Sequence, residues 1–344
     1  MQYTLFLLML ITFAISFWSV DTIRQAFKQQ FIDIPNERSS HTQPTPRGGG
    51  VGFIIASAVA ILLSQLIAKD IISKEQILLL FSLLPLVIVG IIDDRKSVSA
   101  SVRYVIQILV STLVVLQCDA FPQPWLNQLG LWGHLLAILL TVIGMTALIN
   151  FYNFMDGLDG LVAGVAVVQL GFLATWINIP ILWIFLAALL GFLCWNWSPA
   201  KIFMGDAGST TIGATIAVSL LYNHHAPIHT WSVLAITLPL VGDAIYTIIC
   251  RILRQENIFS AHRSHLYQRL NQSGWSHAQV ASLYIAITFL IGVSLELLGA
   301  VGAGLALGGV IPTIWVTELY LDRHHNQLTI LSESLSLPQL SSKK

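Results

Sequence analysis

The sequence predicts an all-α, polytopic membrane protein with about eleven transmembrane helices. Three observations predict it. Hydrophobic residues make up 55% of the 344 and charged residues 10%, with a mean hydropathy of +0.75. Apolar runs recur at lengths of roughly 15–20 residues, about what a helix needs to cross the hydrocarbon of a bilayer. The Lys and Arg residues crowd into alternate loops. A soluble chain of this composition would have almost no polar shell around its core.

The apolar runs fall at 3–20, 51–68, 77–92, 104–117, 133–149, 159–177, 181–195, 209–222, 231–250, 278–298 and 300–320. The first follows Met1-Gln2-Tyr3, with no basic start before it and no small-residue cleavage site after it, so a retained helix is expected. No repeat of 20–50 residues is visible, and one membrane domain over 1–325 is expected, with 326–344 as a short, loose tail. Cys118, Cys194 and Cys250 lack CxxC spacing, which argues against both a disulfide framework and a zinc site. A net charge of zero gives nucleic acid no electrostatic footprint.

With eleven spans, the loops at 21–50, 93–103, 150–158, 196–208 and 251–277 share one side with the C-terminus. They and the tail hold fifteen of the seventeen basic residues; the opposite loops hold Lys69 and Lys74. The positive-inside rule assigns the rich side to the cytoplasm and places the N-terminus outside. Asp93, Asp94, Asp156, Asp159 and Asp206 all lie on that same side, each at a helix end. Chemistry is therefore expected on one face.

Adjacent Asp93 and Asp94 in "GIIDDRKS" repel, which raises the pKa of one unless a cation lies near. Arg95 and Lys96 offer the plainer reading, a neutralised helix end. Serine at 97 excludes a DDxxD diphosphate motif. In "NFYNFMDGLDG" the polar residues Asn150, Asn153, Asp156 and Asp159 recur every third position. An unbroken helix drifts by roughly 60° per such step, so Gly157 and Gly160 are expected to bend the chain and gather them. In "FMGDAGST", Asp206 is expected to cap a helix, with the N–H groups of Ala207 to Ser209 pointing at an anion. The glycines after Arg47 in "TPRGGGVGF" suit close helix packing and do not spell a Walker loop. "HRSHLYQR" supplies His262, Arg263, His265 and Arg269, cationic groups suited to a diphosphate or an anionic lipid surface. Asp243, about two turns inside the ninth span, is either functional or paired with Arg251 or Arg254.

Together, "PNERSSHTQPTPRGGGVGF", "GIIDDRKS", "NFYNFMDGLDGL", "FMGDAGST" and "HRSHLYQRL" resemble, in order, the motifs of the polyprenyl-phosphate N-acetylhexosamine-1-phosphate transferases. The resemblance covers residues 30–275 and implies a multi-pass enzyme of the bacterial inner membrane, with its active site facing the cytoplasm. It implies Mg²⁺ as cofactor, with Mn²⁺ as an alternative ion. The implied partners are UDP-N-acetylhexosamine, undecaprenyl phosphate and the membrane lipids, and the assembly state, monomer or homodimer, stays open. Asp93 and Asp94 become the candidate catalytic pair, and Asn153 and Asp206 the candidate metal ligands. Arg47, Asn150, Asp156, Asp159, His262, Arg263 and His265 become the candidate substrate-binding set. The branch that transfers phospho-N-acetylmuramoyl-pentapeptide carries consecutive histidines. "HRSH" looks more like the branch that initiates O-antigen or other surface glycans.

The implied reaction transfers sugar-1-phosphate to the lipid and releases UMP. A phosphate monoester with a second pKa near ~6 is mostly dianionic at neutral pH, so direct attack by the lipid phosphate is expected, with Asp93 or Asp94 positioning it. The rival is a covalent aspartyl-phosphosugar. Two other classes fit less well. A cation-coupled transporter would carry its charges near the midplane and show repeated halves. A CDP-alcohol phosphotransferase would need DGxxAR, where this chain reads "DGLDGLVAG".

Overall fold

Each of the eleven apolar runs is helical in the computed structural model, which describes residues 2–28, 31–35, 40, 43–67, 71–222, 227–257, 260 and 262–336. Arg38, Lys69, Lys343 and Lys344, used above in the charge asymmetry, lie outside the described residues, as do 36–39 and 41–42 of the first motif. In chain order the helices are α1 (Gln2–Phe27), α2 (Gly50–Ile67), α3 (Lys74–Arg95), α4 (Ala100–Cys118), α5 (Gly130–Met155), α6 (Leu161–Ile177) and α7 (Pro180–Asn196). There follow α8 (Asp206–Tyr222), α9 (Pro227–Val233), α10 (Leu238–Leu253), α11 (Leu266–Gln272), α12 (His277–Leu298) and α13 (Ala300–Ser336). The ninth run is shared by α9, a short 3₁₀ turn and α10.

Among the described residues, eight helical stretches are long and apolar enough to cross a membrane, and α6 and α7 are apolar but shorter. The chain is a multi-pass membrane protein. The backbone helix of α13 continues past Asn326, where the sequence predicts a loose tail. Leu328, Leu331 and Leu335 keep helical spacing there, and the sequence has proline at 338, shortly after the end.

The helix that positions everything else is α8. Fourteen of its seventeen residues are buried, and it packs against α2, α3, α5 and α6. Its Ile212, Ile216 and Leu220 join one core cluster, and its Ala214, Ala217 and Leu221 join another. Small residues let neighbouring backbones approach: a Cβ on Gly50 would stand 2.5 Å from the Cα of Gly208. The hydroxyls of Thr210, Thr211, Thr215 and Ser219 each bond the carbonyl four residues back, so α8 brings no unspent hydroxyl donor into its apolar surroundings.

One small feature escapes the all-α reading. Ile32–Asp33 and Thr45–Pro46 form a two-stranded antiparallel ladder, β1 and β2. From β2 the backbone is stitched to the segment before α8. Phe203 N–H donates to the Pro46 carbonyl (2.8 Å), Gly49 N–H to Phe203 (2.9 Å) and Gly50 N–H to Met204 (2.8 Å). These bonds hold Arg47 beside the start of α8.

Candidate active site

Asp206 is the first residue of α8, and the helix end is capped by Asp94 from the end of α3. The Asp94 carboxylate accepts the N–H groups of Asp206 (2.7 Å) and Ala207 (3.2 Å). Gly205 makes room: its φ is +80°, and a Cβ there would lie 2.6 Å from both Asp94 oxygens. This corrects the expectation that Asp206 is itself the cap. It also corrects the expected anion site, because the Gly208 and Ser209 N–H groups both turn to the Gly205 carbonyl (3.1 Å each). A carboxylate of the protein occupies the place where an external anion was expected.

Asp206 is left facing inward. Its Oδ1 accepts from Arg47 Nη2 (2.8 Å) and Asn153 Nδ2 (3.0 Å), and Arg103 stands 3.9 Å from Oδ2. Arg47 Nε also reaches Asp94 at 3.1 Å. Burial works against the Arg47 charge, but Asp206 and Asp94 outweigh it and hold the guanidinium above its ordinary range. The two adjacent aspartates therefore part company. Asp94 is committed to α8, whereas Asp93 accepts from Val98 N–H (2.6 Å) and Arg103 Nη1 (2.9 Å).

The "NFYNFMDGLDG" stretch bends as its spacing predicts, though the helix persists to Met155, into the expected loop. Asn150 pairs with Gln107 of α4, each carboxamide donating to the other (2.6 and 3.3 Å). Asn153 also donates to Ser209 (2.9 Å). Asp156 ends α5; burial, together with Asp206, Asp94 and Asp159, pushes its carboxyl up to about 7 despite Arg47. Asp159 accepts from Ala200 N–H (3.0 Å) and stands 3.2 Å from His277 Nδ1. Burial opposes its charge, but these partners hold its carboxyl below the usual range.

The histidine loop is arranged differently from the cationic cluster expected. His262 contacts Ser264 (2.9 Å), and burial, His265 and Arg251 push its imidazole down to about 4, so it is neutral at pH 7. His265 is buried, 3.4 Å from Asp243 Oδ1. Arg263 is half-buried and lines neither cavity described below. Asp243 does not pair with Arg251 or Arg254. It accepts from Leu266 N–H (2.9 Å), Tyr267 N–H (3.1 Å) and the Tyr284 hydroxyl (2.7 Å), anchoring α11 to α10 and α12. Arg251 turns instead to Glu256 at 2.8 Å.

Two cavities meet here. A polar one of about 230 Å³ is lined by Arg47, Asn153, Asp156, Asp159, Asp206, Gln268 and His277, among others. A larger one, about 670 Å³, runs along α3, α4, α5 and α10. Most of its wall is apolar, including Leu86, Val89, Leu139, Val142 and Ile143, and its polar end holds Asp93, Arg103, Asn150, His262 and His265. The residues common to both are Asn153, Asp206 and Gln268.

A profile of glycosyl transferase family 4 matches residues 76–224. A probable undecaprenyl-phosphate N-acetylglucosaminyl 1-phosphate transferase of Bacillus subtilis is 30% identical over 285 residues, 79% of this chain and 78% of the relative. The chain belongs to glycosyl transferase family 4. Other similar proteins are an undecaprenyl-phosphate alpha-N-acetylglucosaminyl 1-phosphate transferase of Yersinia pestis, 29% identical, covering 86% of this chain and 82% of its own length. A decaprenyl-phosphate N-acetylglucosaminephosphotransferase of Mycobacterium tuberculosis is 30% identical, covering 72% and 71%.

Within this family 4 chain, the matched segment carries Asp93, Asp94, Asn150, Asn153, Asp156, Asp159 and Asp206. The fold adds Arg47 from the N-terminal side and the histidine loop from the C-terminal side. Sequence reasoning passed over Arg103, Gln107, Gln268 and His277. Arg103 was legible as a basic residue ten positions after Asp93. Gln268 and His277 carry no local signal, because only the approach of α11 and α12 brings them to the cavity.

Proposed function

We propose that this chain transfers N-acetylhexosamine 1-phosphate from a UDP-sugar to undecaprenyl phosphate, giving undecaprenyl-diphospho-sugar and UMP. The reaction takes place on the cytoplasmic face of a bacterial inner membrane and starts an O-antigen or other surface glycan. One observation carries the reading: an acid-lined polar cavity and a long apolar groove meet at Asn153, Asp206 and Gln268. A water-soluble nucleotide sugar and a polyprenyl chain need these two environments, joined at one point. The named relatives support the same chemistry.

The residues fit a divalent cation. Four carboxylates, Asp93, Asp94, Asp156 and Asp206, face two guanidiniums, Arg47 and Arg103, an excess of negative charge that a divalent cation would offset. Asp206 and Asn153 are oxygen donors, as Mg²⁺ or Mn²⁺ prefers, and two protein ligands leave room for water and phosphate oxygens. When bound, the ion offsets charge on the donor diphosphate. Arg47, flanking Asp206, holds the donor phosphates. Arg103, at the polar end of the groove, receives the lipid phosphate. Asp93 orients that phosphate or takes its residual proton. The lipid phosphate oxygen then attacks the sugar-linked phosphorus, and UMP departs. Asp94 lines neither cavity, which leaves Asp93 as the member of the pair in reach of substrate.

The test is purified protein with undecaprenyl phosphate, Mg²⁺ and a panel of UDP-N-acetylhexosamines, with UMP measured. UMP release that requires both lipid and divalent ion supports the reading, and no release from any donor overturns it. Release stoichiometric with enzyme in lipid-free protein would replace direct attack by the covalent route.

A further inference from the structure

We infer that Gln268 recognises the acetamido group of the donor sugar, an assignment that rests on the reading above. Gln268 is 9% exposed and borders both cavities, yet its Oε1 has no hydrogen-bond partner. Among the described residues its whole carboxamide is unspent, two donors and one acceptor. Buried amides normally find partners, because leaving one unsatisfied forfeits the hydrogen bonds it had with water.

The neighbouring carboxamides are engaged. Gln107 and Asn150, also at the groove, satisfy each other. Asn196, at the polar cavity, accepts from Gly160 N–H (3.1 Å) and donates to the Ile202 carbonyl (3.1 Å). Gln268 is also held firmly. Asp243 fixes the first turn of α11, and the hydroxyl of Tyr267, the residue before Gln268, donates to the Phe154 carbonyl (3.0 Å). An unspent group on a pinned backbone is placed for something that arrives.

Chemistry narrows what arrives. A phosphate offers acceptors alone and would leave the carbonyl oxygen unmet. A cation would take the oxygen and leave the two N–H groups. A polyprenyl chain offers neither donor nor acceptor. An acetamido group offers one N–H and one carbonyl, the complement of a carboxamide; the uracil imide offers the same pair but lies at the far end of the diphosphate from the sugar. Position agrees. The lipid phosphate arrives through the groove and the donor lies in the polar cavity, so the sugar-linked phosphorus must sit at their junction. In a 2-acetamido sugar 1-phosphate, the acetamido carbon adjoins the carbon bearing that phosphate. Gln268 stands at the same junction.

The experiment compares wild-type protein with Gln268→Met, whose side chain has similar length but no amide. Equilibrium binding is measured for UDP-N-acetylglucosamine, UDP-glucose and UMP. Wild type should hold UDP-N-acetylglucosamine about tenfold or more tighter than UDP-glucose. The variant should lose roughly 10- to 100-fold in UDP-N-acetylglucosamine affinity while UMP stays within about twofold. Equal wild-type affinity for the two sugars overturns the assignment, as does a variant that loses UMP and UDP-N-acetylglucosamine alike or loses neither. Wild-type turnover with undecaprenyl phosphate separates the two failures. UMP release without discrimination for the acetamido group removes the role of Gln268 alone. No release from any UDP-N-acetylhexosamine removes the reading beneath it.

Discussion

Asp94 accepts the backbone N–H of Asp206 at 2.7 Å, across 112 positions of sequence, while its neighbour Asp93 faces the groove. One carboxylate builds the site and the other borders it. Asp94→Ala should therefore lower stability by about 1–2 kcal/mol, the usual cost of a lost helix cap, read as a lower melting temperature in detergent. Asp93→Ala should melt closer to the parent yet slow turnover by roughly 10²–10⁴-fold. The opposite ordering would exchange their roles.

Asp206→Asn keeps the size of the side chain and removes the charge that Arg47 and Asn153 address. Turnover should fall by orders of magnitude, with the dependence on divalent ion shifted to higher concentration. Near-parental rates at unchanged ion requirement would remove Asp206 from the metal site.

His262 should make the protein acid-sensitive. His265, Arg251, Glu256 and Asp243 bear on its imidazole, which the folded state holds at about 4. An unfolded histidine titrates near ~6.5. Between those values the unfolded chain binds a proton that the folded one refuses, so this contribution is intact above about 6.5 and lost as pH falls toward 4. Melting temperature should drop on acidification through that window, and His262→Gln should flatten the slope. An unchanged slope in the variant would assign the acid loss to other groups.

Orientation follows from the fifteen-to-two partition of basic residues. Single cysteines are placed at Ser97, Ser260 and Asn127, all exposed, in a background lacking the native three. Impermeant thiol reagents on intact cells should label position 127 and spare 97 and 260. The reverse pattern would put the polar cavity on the side that lacks nucleotide sugars. Gln123, in the same loop as Asn127, is unsuited because it is buried.

What the sequence revealed and what it withheld divide along one physical line. The eleven apolar runs and the bend at Asp156 are local, written in composition and three-residue spacing, and the structure has both. The separation of Asp93 from Asp94 is not local. It depends on Gly205 leaving room for one carboxylate to accept the Asp206 and Ala207 N–H groups, and nothing in "GIIDDRKS" says which. The charge of His262 was misjudged for the same reason, since its burial and its nearness to the charges of His265 and Arg251 are properties of the assembled loop. Arg47 was legible as basic, but its place beside Asp206 needs the backbone bonds from 46–50 to 203–204.

Those bonds set an order of events during synthesis. Arg47 and Asp206 are 159 residues apart. At about 5–20 residues per second, the ribosome takes on the order of 10–30 s to supply the second after the first. For that interval Arg47 has no Asp206 to pair with, and over the last 112 residues of it Asp94 has no helix to cap. The half-made chain carries an arginine and an aspartate pair waiting at the membrane surface, and the eighth helix joins them on arrival. A chain that stalls before Asp206 holds seven complete helices and no site.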